Sequence, residues 1–207
     1  MTKAPTTTEA GELTYTCEVC GETKTEEISG IPAPEFEDVP VGSWYYEPAA
    51  WAAYKGITSG VTETQFAPAQ GCTRAQAVTF LWRAAGEPEP ESTDCPFEDV
   101  GENAYYRDAV LWAAEQGIAS GTGEGEFSPN DVCTRVQIAA FIWRWMGEPE
   151  SGGKLPFEDA PSEAWYAPAV AWAVETGVTS GVSATSFAPN DPCTRAQIVT
   201  FLYRACS

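Results

Sequence analysis

The chain writes one short phrase three times, and that repetition limits its possible folds more than any other feature. The phrase is Cys72-Thr73-Arg74-Ala75-Gln76, then Cys133-Thr134-Arg135-Val136-Gln137, then Cys193-Thr194-Arg195-Ala196-Gln197. Thr followed three residues later by Gln is a capping box: the hydroxyl accepts from a first-turn amide while the Gln side chain reaches back to the cap. Each copy therefore predicts a helix start. Arg74, Arg135 and Arg195 then fall in the first turn, where the macrodipole disfavours a cation unless an anion offsets it. An arginine placed there three times is a candidate anion-binding group.

The phrase closes a longer unit that recurs at spacings of 61 and 60 residues. Phe36-Glu37-Asp38 matches Phe97-Glu98-Asp99 and Phe157-Glu158-Asp159, and Trp44-Tyr45 matches Tyr105-Tyr106 and Trp165-Tyr166. Trp51, Trp112 and Trp172 follow, then Gly56, Gly117 and Gly177, then Ser59-Gly60, Ser120-Gly121 and Ser180-Gly181. Each unit continues through a Phe-x-Pro element at Phe66, Phe127 and Phe187, and ends on an arginine at 83, 144 or 204. A period of this length is the mark of a repeat architecture.

Within a unit, a first helix is expected from about the aromatic pair to the glycine. In the second copy Tyr106, Ala109, Val110 and Ala113 share one face, and Gly117 supplies the left-handed residue that ends it. The second helix starts at the Thr cap, with Ile198, Phe201, Leu202 and Ala205 as its stripe. In the second copy Ala139, Ala140 and Trp143 widen the stripe, so that helix should be covered on several sides. Two helices in about 50 residues bury too little surface to stand alone, so the three units should share one core. The expected division is a leader over 1–33, partly flexible, and repeats over 34–90, 91–150 and 151–207. In the leader, Cys17-Glu18-Val19-Cys20-Gly21 reads as a small hairpin with a CxxC knuckle. A structural zinc site would need a second cysteine pair nearby, and none has suitable spacing.

Composition removes whole classes of function. Histidine is absent, which takes away the commonest general base and the commonest metal ligand, and excludes serine-histidine and cysteine-histidine catalysis. A net charge of −19 repels nucleic acid and anionic membrane surfaces. No apolar run is long enough to cross a bilayer, so no membrane insertion is expected. No signal peptide follows Met1, and the start reads as an excised piece. The final helix ends close to Ser207, from which a true C-terminus is expected, with any effector part on the N-terminal side. Cys72, Cys133 and Cys193, each just before a cap, are expected to act as small buried hydrophobes.

For the arginines, bidentate clamping of a carboxylate competes with a structural salt bridge to Asp38, Asp99 or Asp159. Trp51, Trp112 and Trp172, in mid-helix, are assigned to the core. Trp44, Tyr105 and Trp165, at a helix start, divide evenly between core packing and an exposed surface on which a ligand ring could stack. The Glu-Asp pairs suit loop-fixing hydrogen bonds better than glycoside hydrolysis, because neighbouring side chains point in opposite directions.

With these motifs in this order, the three units resemble S-layer homology domains over roughly residues 34 to 207. That resemblance implies an all-α, pseudo-threefold body of helix-loop-helix repeats around a central helix bundle. It implies inter-repeat grooves that bind the pyruvylated secondary polysaccharide attached to peptidoglycan in Gram-positive walls, so that a surface protein is anchored without a covalent bond. It places Arg74, Arg135 and Arg195 on the ketal carboxylate. Alongside them it places Asp38, Asp99 and Asp159, Ser59, Gly60, Ser120, Gly121, Ser180 and Gly181, and the aromatics Trp44, Tyr105 and Trp165. Where the family carries Glu, this chain has Gln76, Gln137 and Gln197, which still close the capping box. No cofactor, metal or catalytic residue is expected, and the body should be a monomer at the extracellular cell surface. An enzyme on the same glycan is disfavoured because catalysis needs one asymmetric site. The alternative is a protein-protein assembly module of a surface layer with no glycan requirement.

Overall fold

The structure, a computed structural model, describes residues 3–152 and 155–207. It begins with an antiparallel hairpin, β1 (Gly11–Thr16) and β2 (Thr23–Ile28), in register from Gly11 opposite Ile28 to Thr16 opposite Thr23. Cys17 and Cys20 sit exposed in the connecting turn. Six helices follow in pairs: α1 (Tyr46–Tyr54) and α2 (Arg74–Ala84), α3 (Arg107–Glu115) and α4 (Arg135–Trp145), α5 (Ala167–Glu175) and α6 (Arg195–Cys206). The expected helical class describes the repeats, while the leader adds a two-stranded sheet. No described helix is long and apolar enough to cross a membrane.

The second helices begin where the sequence places them. Thr73, Thr134 and Thr194 each complete the capping box with the Gln three residues on. A helix start also leaves amides at its first two positions without partners inside the helix. Here the next repeat supplies them. Arg74 N and Ala75 N donate to Asp131 O and Pro129 O, Arg135 N and Val136 N to Asp191 O and Pro189 O, and Arg195 N and Ala196 N to Gln70 O and Pro68 O. The first helices have no side-chain cap and start just after the aromatic pair, at Tyr46, Arg107 and Ala167. Gly56, Gly117 and Gly177 follow their ends at φ of 70°, 67° and 76°, the left-handed region that favours glycine.

Packing runs in the same direction around the molecule. Helix α2 lies on α3, α4 on α5, and α6 on α1, while α2, α4 and α6 also touch one another. At their starts the backbone closes a ring: Cys133 N donates to Cys72 O, Cys193 N to Cys133 O and Cys72 N to Cys193 O, at 2.9, 2.8 and 2.8 Å. The main core cluster gathers Phe80 and Leu81, Phe141 and Ile142, and Phe201 and Leu202, so all three units share it. Each such side chain contributes about 1.5–3 kcal/mol by leaving water. Cys72, Cys133 and Cys193 are fully buried there, as expected for small hydrophobes.

Candidate functional site

Each Phe-x-Pro loop is held from two directions. The Asp38 carboxylate accepts from Phe66 N and Ala67 N, Asp99 from Phe127 N and Ser128 N, and Asp159 from Phe187 N and Ala188 N, at 2.7–2.9 Å. These bonds fix Ala67, Ser128 and Ala188 at φ of 57°, a left-handed geometry that costs a non-glycine residue about 1–3 kcal/mol. The acidic residues thus do the loop-fixing that their adjacency suggested.

The second hold is the arginine of another repeat. Arg195 Nε donates to Phe66 O at 2.7 Å, Arg74 Nε to Phe127 O at 2.8 Å and Arg135 Nε to Phe187 O at 2.9 Å. Each guanidinium also lies 4.6–4.9 Å from the centre of that same phenylalanine ring. All three side chains are buried, and burial pushes each guanidinium down from its ordinary value. Among the described residues the ion pairs are Lys3–Glu9, Lys24–Glu26 and Arg83–Glu87, so the salt bridges to Asp38, Asp99 or Asp159 do not form. What offsets the unfavourable helix start is a carbonyl dipole and two ring faces, with Asp99, Asp159 and Asp38 acting on the guanidiniums from beyond ion-pair distance. The terminal nitrogens differ between copies. Arg74 Nη2 donates to Ser120 O at 2.7 Å and Arg195 Nη2 to Thr58 Oγ1 at 3.3 Å, whereas Arg135 Nη2 is buried without a hydrogen-bond partner.

Around Arg195 these parts open into a groove of ≈ 400 Å³ built from all three repeats. Thr58, Ser59 and Gly60 come from the first repeat's loop, Tyr105 from the second repeat, Arg195 from the third, and Gln76, Thr79, Phe80 and Arg83 from one face of α2. Four of the sequence candidates, Ser59, Gly60, Tyr105 and Arg195, therefore meet here, while Asp38 is spent on loop amides. Tyr105, Trp44 and Trp165 are 65%, 59% and 62% exposed, against 5% and 7% for Trp112 and Trp172, so the aromatics at the helix starts are not core. Gly60 has a structural reason as well: a Cβ there would meet Thr62 O at 2.5 Å and the Phe36 ring at 2.7 Å. The sequence reading missed Thr58, Gln76, Thr79 and Arg83. The three on α2 carried a usable signal, since 76, 79 and 83 follow helical spacing from the cap.

The groove offers hydrogen-bond donors and positive charge. Its lining holds two arginines, the hydroxyls of Thr58, Ser59, Thr79 and Tyr105, and the amide of Gln76. No cluster of three or more Cys, Asp or Glu suited to a metal ion occurs among the described residues.

The model of the S-layer homology domain matches residues 35–78, 96–139 and 156–199. The chain belongs to the S-layer homology domain family. Among similar proteins, the surface-layer 125 kDa protein of Lysinibacillus sphaericus is 37% identical over 103 residues, 50% of this chain and 9% of that protein. Exoglucanase XynX of Acetivibrio thermocellus is 28% identical over 174 residues, 81% of this chain and 16% of its own length. The S-layer protein of Bacillus thuringiensis subsp. finitimus is 24% identical over 184 residues, 84% of this chain and 22% of its own. The chain thus spans less than a quarter of the length of each of these curated relatives. The S-layer homology domain in all three units, with S-layer proteins among the similar proteins, makes this chain an anchoring module of the cell surface and cell wall.

Proposed function

We propose that this module attaches its parent protein, without a covalent bond, to a pyruvylated polysaccharide of the cell wall, through grooves between repeats. The supporting observation is the groove at Arg195, where a guanidinium, a Ser-Gly loop and an exposed tyrosine from three different repeats line one cavity. An acidic ketal would meet the only strongly cationic feature of that cavity, Arg195 with Arg83, and a sugar face could lie on the Tyr105 ring. In a chain of net charge −19, such binding depends on the local arrangement and not on long-range attraction. The cyclic capping of each second helix by another repeat, and the ring of cysteine backbone bonds, support a pseudo-threefold body with an Arg74 groove and an Arg135 groove beside this one.

The test is an equilibrium pull-down on purified cell walls, with and without chemical removal of the pyruvate ketal. Binding is expected to fall at least tenfold on ketal removal. Equal binding to both wall preparations would sink the acidic-ketal reading. Concentration-dependent self-association with no wall requirement would favour the assembly alternative.

A further inference from the structure

A second cavity, of ≈ 650 Å³, lies on the other side of Arg83. The first repeat provides Trp51, Tyr54, Lys55 and Ile57, the end of α6 provides Tyr203, and the N-terminal hairpin segment provides Ile28 and Ile31 as a wall. Its volume falls within the ~300–1,000 Å³ of small-ligand sites. The two cavities share Arg83 in their linings and are lined by adjacent residues of the chain. Ile57 lines this one and Thr58 lines the groove, while Arg83 Nη1 donates to Ile57 O at 3.3 Å between them.

Part of the chemistry of this cavity is carried by the first repeat and not by the other two. Where the other units carry Glu115-Gln116 and Glu175-Thr176, this one carries Tyr54-Lys55. Glu115 and Glu175 hold the segments leading into their repeats, Glu115 through Glu91 N and Ser92 N and Glu175 through the Ser151 hydroxyl. The exchange therefore removes a carboxylate, adds a cation and adds a ring that is 51% exposed. Trp51 and Tyr203 stand edge to face at 5.7 Å, giving flat apolar surface beside Lys55 and Arg83. Aromatic walls and two cations, in a strongly acidic protein, suit an acidic saccharide.

We propose that the cavity under the hairpin is a second saccharide subsite, continuous with the Arg195 groove past Arg83, and that it takes further sugar units of the same acidic polymer. This rests on the glycan reading above and extends it. The groove receives the acidic end unit, and the hairpin cavity adds affinity only for a ligand long enough to reach across Arg83.

The experiment titrates the full chain with two probes by calorimetry, a pyruvylated monosaccharide and a purified wall-polysaccharide fragment of several repeating units. The double variant Tyr54→Ala/Lys55→Glu changes two exposed positions outside the groove, and a Lys55→Glu single variant repeats the test with the aromatic kept. The double variant is expected to bind the fragment about tenfold more weakly and the monosaccharide within about twofold of the parent, with the single variant in between. Unchanged fragment binding, or an equal loss for both probes, overturns the second subsite and leaves the groove reading standing. Failure of the parent chain to bind either probe overturns the groove reading and the subsite with it.

Discussion

The junctions between repeats are alike at the centre and unlike at the rim. Inside, Cys72, Cys133 and Cys193 exchange backbone hydrogen bonds within 0.1 Å of one another, and each arginine makes the same bond to a phenylalanine carbonyl. Outside, two junctions are covered by the linker that joins the repeats. Trp82 Nε1 donates to Pro88 O and Trp143 Nε1 to Pro149 O, at 2.8 and 3.0 Å, and the tryptophans of the following helices, Trp112 and Trp172, are buried. At the third junction Tyr203 takes the tryptophan's place, Trp51 is only half-buried, and the cover is the hairpin segment, tied down by Thr7 to the Glu47 carboxylate. The inner contacts use motifs that every repeat carries. The outer ones use whatever chain lies nearest, and at the hairpin's junction the ≈ 650 Å³ cavity opens.

The sharpest way to break the comparison is to remove one arginine at a time. Arg74→Ala, Arg135→Ala and Arg195→Ala each leave a buried carbonyl without its donor and empty the space over a phenylalanine, at an expected cost of about 4 kcal/mol. Urea unfolding should show nearly equal losses if the inner ring is closed. A much milder Arg195→Ala would mean that the third junction contributes little and the ring is open.

Alkali probes the same centre less severely. Burial pushes the Cys133 and Cys193 thiols up to about 12. A raised folded-state value means that the stabilisation is complete below the unfolded thiol's value, near 8.5, and is lost as pH rises toward about 12. At pH 9.5 the unfolded state should gain about 1.4 kcal/mol from each thiol. The urea midpoint should therefore fall between pH 8 and 9.5, and Cys133→Ala/Cys193→Ala should flatten that slope. An unchanged slope in the variant would show that the central thiols do not carry it.

These two tests act on contacts of very different legibility. Thr73, Thr134 and Thr194 announce their helices because a capping box is complete within four residues, and the glycines after the first helices are equally local. The rest of the site needs the third dimension. Nothing near Arg195 in the chain says that its partner is Phe66 O, 129 positions away, and nothing near Asp38 names Phe66 N and Ala67 N. The reading of the arginines placed all three in clefts between copies, and one of them, Arg195, lines a groove. It lacked their first duty, because a neighbour's carbonyl leaves no mark beside them in the sequence. The docking of the hairpin is hidden for the same reason, since Thr7 and Glu47 are 40 positions apart with no repeat to flag them.

At the hairpin's junction, Glu47→Ala should cost about 2 kcal/mol, the value of two hydrogen bonds to a charged acceptor in a partly buried place. It should also lift the hairpin segment from Trp51 and shift tryptophan fluorescence to the red. The matching change in the second repeat, Asp108→Ala at an exposed position, should stay within about 0.5 kcal/mol of the parent. Equal effects would erase the distinction between a hairpin cover and a linker cover.

The smallest effect compares the two linkers with each other. Glu115 accepts two backbone amides at 2.9 and 3.0 Å, while Glu175 accepts one side-chain hydroxyl at 2.6 Å. Both carboxylates are exposed, so Glu115→Ala should cost about 1 kcal/mol and Glu175→Ala about 0.5. The Glu91 and Ser92 amides should then exchange faster in Glu115→Ala, with the Trp82 indole bond still protected. Exchange that is unchanged would leave the Trp82–Pro88 bond as what holds the first linker. In that case the loss of a glutamate at Tyr54 would matter for the charge it removes from the hairpin cavity and not for any linker it fails to anchor.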